Sequence, residues 1–163
     1  MRSLMLVVTL LAAGCGGSGS ILSERIADYR ATTSSLDVVV DAHAKSATAA
    51  APSTCAAAMA DYARQAGALV DRMQSMSGGM DQCMVSAGRA DRADLAAGCA
   101  AMRTELDAHA RNGCSAPDLA AEMTRHAAAM KAQTSREMDR MGEMEGMESG
   151  MGSSMMSGLQ GCH

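Results

Sequence analysis

The sequence predicts an all-α fold, an antiparallel four-helix bundle that is readable as two helical hairpins. Three observations predict it. Apolar residues recur in alternating steps of three and four along four long stretches, which is the helical period. Val38-Val39-Val40 is the only β-branched run, and it falls inside one of those periods. The 163 residues include 17 Met and two Tyr but neither Phe nor Trp, so a core must be built from Ala, Leu, Val and Met. Small and unbranched side chains of this kind suit helices.

The spacing predicts helix 1 over about 22–50, with Ile26, Tyr29, Thr33, Leu36, Val40 and His43 on its inner face. Helix 2 is expected over about 53–76, opened by Pro52-Ser53 and closed by Ser77-Gly78-Gly79. Its inner positions are Cys55, Met59, Tyr62, Ala66, Leu69, Met73 and Met76, with Met80 beyond. Helix 3 is expected over about 91–111, with Leu95, Cys99, Met102, Leu106 and His109 facing inward and Asn112-Gly113 as its stop. Helix 4 is expected from about 116 to 144 or further, opened by a capping box in Ser115-Ala116-Pro117-Asp118. Leu119, Met123, Met130, Met141 and Met144 line it, with Thr134 and Glu137 interrupting the stripe. A faint repeat supports the hairpins: Asp41-Ala42-His43-Ala44-Lys45 returns as Asp107-Ala108-His109-Ala110-Arg111, and Asp71-Arg72-Met73 returns as Asp139-Arg140-Met141.

Ahead of the bundle, Arg2 precedes the apolar run Leu4–Leu11, which is of secretory length and too short to span a bilayer. Small residues Ala12-Ala13-Gly14 follow, then Cys15. Leu11-Ala12-Ala13-Gly14-Cys15 resembles the lipobox of bacterial lipoproteins, with Ala12 where that pattern usually has Leu. The resemblance implies cleavage before Cys15, diacylation of Cys15, acylation of the new N-terminus, and a membrane anchor on the cell envelope. Several chains hold far better than one, since each buried methylene adds about 0.8 kcal/mol. In enterobacterial lipoproteins an Asp after the cysteine favours the inner membrane; Gly16 stands here, which points to the outer membrane and the periplasm. The expected organisation is therefore signal 1–14, flexible Gly/Ser tether 15–21, bundle 22–145, and a Met/Gly/Ser-rich, disordered tail 146–163.

Composition excludes some functions. Fourteen basic against 18 acidic residues, with no basic cluster, argue against nucleic acid. The scarcity of aromatic rings argues against base or sugar stacking. No nucleophile–base pair or carboxylate dyad stands at readable spacing, so no enzymatic activity is expected.

Two groups of metal donors remain. The end of the bundle where helices 1 and 3 finish collects His43, Met59, His109, Met123, His126 and Met130, with Cys55 and Cys114 beside them. Imidazole with thioether suits copper or haem iron. The competing view is structural, because His43 and His109 lie in final helical turns where the dipole favours them. The opposite end carries Met73, Met76, Met80, Met84, Met138, Met141 and Met144, then Met147, Met151, Met155, Met156, Cys162 and His163. Core filling explains the helical methionines, but not Met147–Met156 among Gly and Ser.

Met123-Thr124-Arg125-His126-Ala127-Ala128-Ala129-Met130 resembles the Met-x-x-His-His stretch of small exported ferritin-like bundles (the DUF305 and DUF4142 groups), although the second His and the Met spacing differ. The Met-rich tail resembles soft-metal tails of periplasmic copper- and silver-handling proteins. No Glu-x-x-His pair stands on two helices, which disfavours a di-iron site, and no Cys-x-x-Cys-His exists for covalent haem.

Export favours disulfides. With Cys15 lipidated, five cysteines allow two bridges: Cys55–Cys114, stapling the hairpins, and Cys83–Cys99, with Cys162 left over. Taken together, these features predict a lipid-anchored envelope protein that binds or buffers a soft metal ion, Cu(I) first among them. The alternatives are a structural or interaction lipoprotein that docks another envelope protein, and a bundle holding non-covalent haem b between a seam His and a Met.

Overall fold

The computed structural model describes residues 21–47, 52–86, 88–90 and 93–150. Among them are four long helices and no strand: α1 Ile21–Ala47, α2 Pro52–Ser86, α3 Leu95–Asn112 and α4 Leu119–Gly150, with a 3-10 turn at Gly113–Ser115 between α3 and α4. Cross-helix pairs run in opposite chain directions at each neighbouring interface. Between α1 and α2, Asp28 pairs with Arg72 and His43 stacks on Tyr62. Between α2 and α3, Asp71 pairs with Arg103 and Asp81 reaches Leu95. Between α1 and α4, Arg30 pairs with Glu145 and Asp41 with Lys131. Between α3 and α4, Asp94 pairs with Arg140 and His109 with Glu122. The neighbours are antiparallel, as the spacing predicts.

The predicted inner stripes are the core. Ile26, Tyr29, Leu36, Val40, Ala66, Met73, Met80, Leu95, Cys99, Met102, Leu106, Met130, Met141 and Met144 are all buried. Thr33, Thr134 and Glu137, which break the apolar pattern, are buried as well. On α2 the stripe runs through Val70, with Leu69 and Met76 packed at its edge. No helix among the described residues is long and apolar enough to cross a membrane.

Four boundaries depart from expectation, the first three for a readable reason. First, α2 does not stop at Gly78-Gly79, because Met80, Cys83 and Met84 continue its buried face. Its stop is Gly88 at φ 74°, where Arg89 N–H donates to Met84 O at 2.9 Å and Gly88 N–H to Val85 O at 3.0 Å. That bond pair is a Schellman ending, which needs the left-handed conformation glycine supplies. Second, α3 starts at Leu95 rather than 91. Asp94 caps nothing with its side chain; Asp81 of α2 instead accepts from Leu95 N–H at 2.9 Å and Ala96 N–H at 3.0 Å. Third, α4 begins after Pro117, and Asp118 rather than Ser115 is its cap, accepting from Ala121 N–H at 3.0 Å. At its far end α4 continues to Gly150, so residues 146–150, expected in the tail, are helical.

Candidate functional site

Each helix contributes one ring to a buried layer near the Cys55–Cys114 end: His43 from α1, Tyr62 from α2, His109 from α3 and His126 from α4. The rings form two stacks. His43 lies on Tyr62 with centroids 3.8 Å apart and planes within 6°, and His109 lies on His126 at 3.8 Å and 5°. The stacks meet edge to face, at 83° between His43 and His109 and 88° between Tyr62 and His126. The perpendicular contacts, with centroids 5.5 Å apart, are of the edge-to-face kind that π-systems favour.

Hydrogen bonds link the stacks. His43 Nε2 lies 3.2 Å from His109 Nε2, and Tyr62 Oη lies 2.7 Å from His126 Nε2. The outer nitrogens go to carboxylates: His109 Nδ1 to Glu122 at 3.1 Å and His126 Nδ1 to Glu105 at 2.9 Å. Arg125 bridges both carboxylates, at 3.0 Å to Glu105 and 2.8 Å to Glu122. One proton arrangement satisfies every contact with neutral rings. His109 and His126 donate from Nδ1 to Glu122 and Glu105, so their Nε2 atoms accept, one from His43 Nε2–H and the other from Tyr62 O–H.

The electrostatics agree. Burial, reinforced by the neighbouring imidazoles, lowers His43 to about 4. Burial also lowers His126 to about 4, against the pull of its Glu105 bond. Burial raises Tyr62 above the usual phenol range. The Arg125 hydrogen bond holds Glu122 at about 2. For Glu105, burial pushes upward, but the hydrogen bonds from His126 and Arg125 prevail and keep it below the usual carboxylate range.

Of the residues predicted to meet at this end, His43, His109 and His126 do meet. Met59 and Met123 pack in a small adjoining cluster with Cys55 and Leu119, while Met130 belongs to the main core. The Met59 methyl crosses over Gly113: a Cβ there would sit 2.4 Å from it and 3.1 Å from the His109 ring. Among the described residues, no group of three or more His, Cys, Asp or Glu is arranged to hold a metal ion. Cys15, Met151, Met155, Met156, Cys162 and His163 lie outside the described residues, as does the side chain of Met147.

The Cys55–Cys114 disulfide is present, with Cα atoms 5.9 Å apart. The second expected bridge is not made. Cys99 is a free, buried thiol, and Cys83 is in a disulfide of its own with another residue. Tertiary packing takes Cys99 inward, where its sulfur lies 3.3 Å from Tyr29 Oη. Tyr29 O–H donates to Glu137 at 2.9 Å, and Glu137 also accepts from Arg140 at 2.8 Å. Burial raises Glu137 to about 7 and pushes the Cys99 thiol up to about 11, so the thiol stays protonated and is a poor nucleophile. Gly98 makes room for this carboxylate, since a Cβ there would fall 1.8 Å from Glu137 Oε1.

The sequence reading treated Tyr62 as plain core and missed Glu105, Glu122 and Arg125. A signal existed. Glu105-x-x-x-His109 and Glu122-x-x-x-His126 repeat one spacing on two antiparallel helices, and each imidazole takes the carboxylate of the other helix. Comparison of the chain with family models, with curated proteins and with solved structures found no match.

Proposed function

We propose that this chain is a lipid-anchored protein of the bacterial envelope whose bundle carries a soft-metal-binding, Met-rich C-terminal segment, with Cu(I) as the preferred ion. The observation that carries the reading is how the methionines divide. Packing accounts for Met59, Met73, Met80, Met84, Met102, Met123, Met130, Met141 and Met144, all of them buried. The sequence then continues the same residue through Met147, Met151, Met155 and Met156 to His163, among Gly and Ser that offer no apolar partner. Thioether and imidazole are soft or borderline donors that select Cu(I) over harder ions, and thioethers do not form disulfides in an oxidising compartment. The anchor rests on Arg2, the run Leu4–Leu11, and Cys15 after Ala12-Ala13-Gly14.

The ring layer is not part of this site, because both nitrogens of His109 and of His126 and the Nε2 of His43 are engaged with one another, with Tyr62 or with carboxylates. That engagement favours a second reading, a structural lipoprotein whose imidazoles serve the bundle alone and whose surface meets another envelope protein. Haem b gains no support: it needs a slot for a flat macrocycle, whereas the imidazoles stack on one another.

Anaerobic Cu(I) titration against a competing chelator separates the two readings. With Met151, Met155 and Met156 all changed to Leu, Cu(I) stoichiometry falls while far-UV circular dichroism is unchanged. Equal stoichiometry in wild type and variant removes the metal reading and leaves the structural one. Metabolic labelling with fatty acid tests the anchor separately: Cys15→Ser abolishes the label and releases the protein from membranes.

A further inference from the structure

We infer that Tyr62 is a one-electron redox centre, a phenol that yields an electron to a one-electron oxidant from solution while its proton crosses the hydrogen bond to His126. This does not depend on the metal reading. A phenol that loses an electron becomes a very strong acid, so its oxidation is eased when a hydrogen-bonded base is in place to take the proton. Tyr62 has that base, its oxygen lying 2.7 Å from His126 Nε2, at the short end for such a bond. The His126 lone pair is fixed there because the other ring nitrogen donates to Glu105 at 2.9 Å. Glu105 is therefore already in place to stabilise the imidazolium that forms. Prior loss of the proton to solvent is disfavoured, since burial disfavours the phenolate.

The step balances. The Tyr62 O–H bond breaks, one electron goes to the oxidant, and the proton forms an N–H bond at His126 Nε2. The products are a neutral phenoxyl radical, an imidazolium paired with Glu105, and the reduced oxidant. A one-electron reductant reverses it, and the proton returns. Approach is from the α1–α2 face, where a concavity of about 370 Å³ is lined by His43 and Tyr62 and edged by Asp61, Gln65 and Val38.

The other tyrosine lacks these conditions. Tyr29 O–H faces Glu137, which burial keeps partly protonated near neutral pH and so a less available acceptor. The Cys99 thiol, 3.3 Å from Tyr29 Oη, would repair a radical there by giving up its hydrogen. Tyr62 has no thiol partner of this kind: among the described cysteines near it, Cys55 and Cys114 are bonded to each other. A persistent radical is therefore assigned to Tyr62.

The experiment uses the full chain and photogenerated tris(bipyridine)ruthenium(III) as a cationic one-electron oxidant. Phenoxyl absorption and electron paramagnetic resonance are the readouts. A long-lived phenoxyl signal is expected in wild type and in Tyr29→Phe, and none in Tyr62→Phe. His126→Gln, which removes the base, slows formation on the order of a hundredfold. Wild type itself forms the radical more slowly in deuterated solvent, a readout that needs no variant. A signal that survives in Tyr62→Phe, an unchanged rate in folded His126→Gln, or no solvent isotope effect would each overturn the assignment.

Discussion

Two glycines with the same residue type carry opposite burdens. Gly98 is the place where the Glu137 carboxylate sits, and Glu137 cannot retreat because Tyr29 and Arg140 hold it in a fully buried position. A Cβ at Gly98 forces overpacking, so Gly98→Ala should destabilise by about 1–3 kcal/mol in urea unfolding. Gly78 lies inside α2 with nothing within 4 Å of a built Cβ. There the substitution only removes backbone freedom from the unfolded chain, and Gly78→Ala should stabilise by about 0.5–1 kcal/mol. Equal effects of the two substitutions would show that Glu137 is free to move. The contrast was hidden in the sequence, where both residues sit beside Cys or Ser and neither pattern reveals a carboxylate arriving from forty residues away.

At the scale of elements, the capping of α3 is tertiary. Both oxygens of Asp81, on α2, hold the first two amides of α3. Asp81→Ala should destabilise by about 1–2 kcal/mol, the usual loss for a helix cap. Amide exchange should quicken in the first turn of α3 and stay unchanged at its His109 end. Uniform acceleration along α3 would assign Asp81 a different role. This is why the start of α3 could not be read locally: the capping residue lies fourteen positions upstream of Leu95, on another helix. The inner faces were legible, because the three-and-four step survives polar interruptions, and Thr33, Thr134 and Glu137 proved to be buried where the step places them. Helix ends were less legible. Gly78-Gly79 has the composition of a stop, but the apolar stripe through Met80, Cys83 and Met84 makes continued helix the better use of those residues. The gathering of His43, His109 and His126 was legible from antiparallel order alone. Their exchange of carboxylates was not, because it depends on the register between α3 and α4. The pairing of Cys55 with Cys114 followed from topology, whereas Cys83 and Cys99 are close in sequence yet Cys83 is bonded elsewhere and Cys99 meets Tyr29 in the core.

For the whole molecule, buried titratable groups pull stability in opposing directions with pH. His43 and His126 have folded values near 4 against an ordinary 6.5, so between those limits only the unfolded chain takes up their protons. Their contribution is complete above pH 6.5 and is lost as pH falls toward 4. Glu137 has a folded value near 7 against an ordinary 4.5, so the folded chain holds that proton and stability falls as pH rises through the same range. From pH 4.5 to 6.5 the two imidazoles outweigh the one carboxylate, and these three groups leave a net dependence of one proton. Glu137→Gln removes the opposing group, so its unfolding free energy should climb about twice as steeply over that window, by roughly a further 1.4 kcal/mol per pH unit. Parallel slopes for wild type and variant, from urea midpoints at the two ends of the window, would contradict the protonated state of Glu137. The disulfide has a different consequence, which is mechanical. Arg30 meets Glu145, so the start of α1 and the end of α4 lie at the same end of the bundle, far from Cys55–Cys114. Tension applied to those two ends peels α1 from α4 turn by turn and then reaches the sulfur–sulfur bond. The bond joins residues 59 apart in sequence and takes α2 and α3 out of the path of the force. With Cys83→Ser, so that the second disulfide of α2 cannot shorten the path, oxidised protein stretched in an optical trap should therefore come up about 200 Å shorter in contour length than the same variant reduced at Cys55 and Cys114.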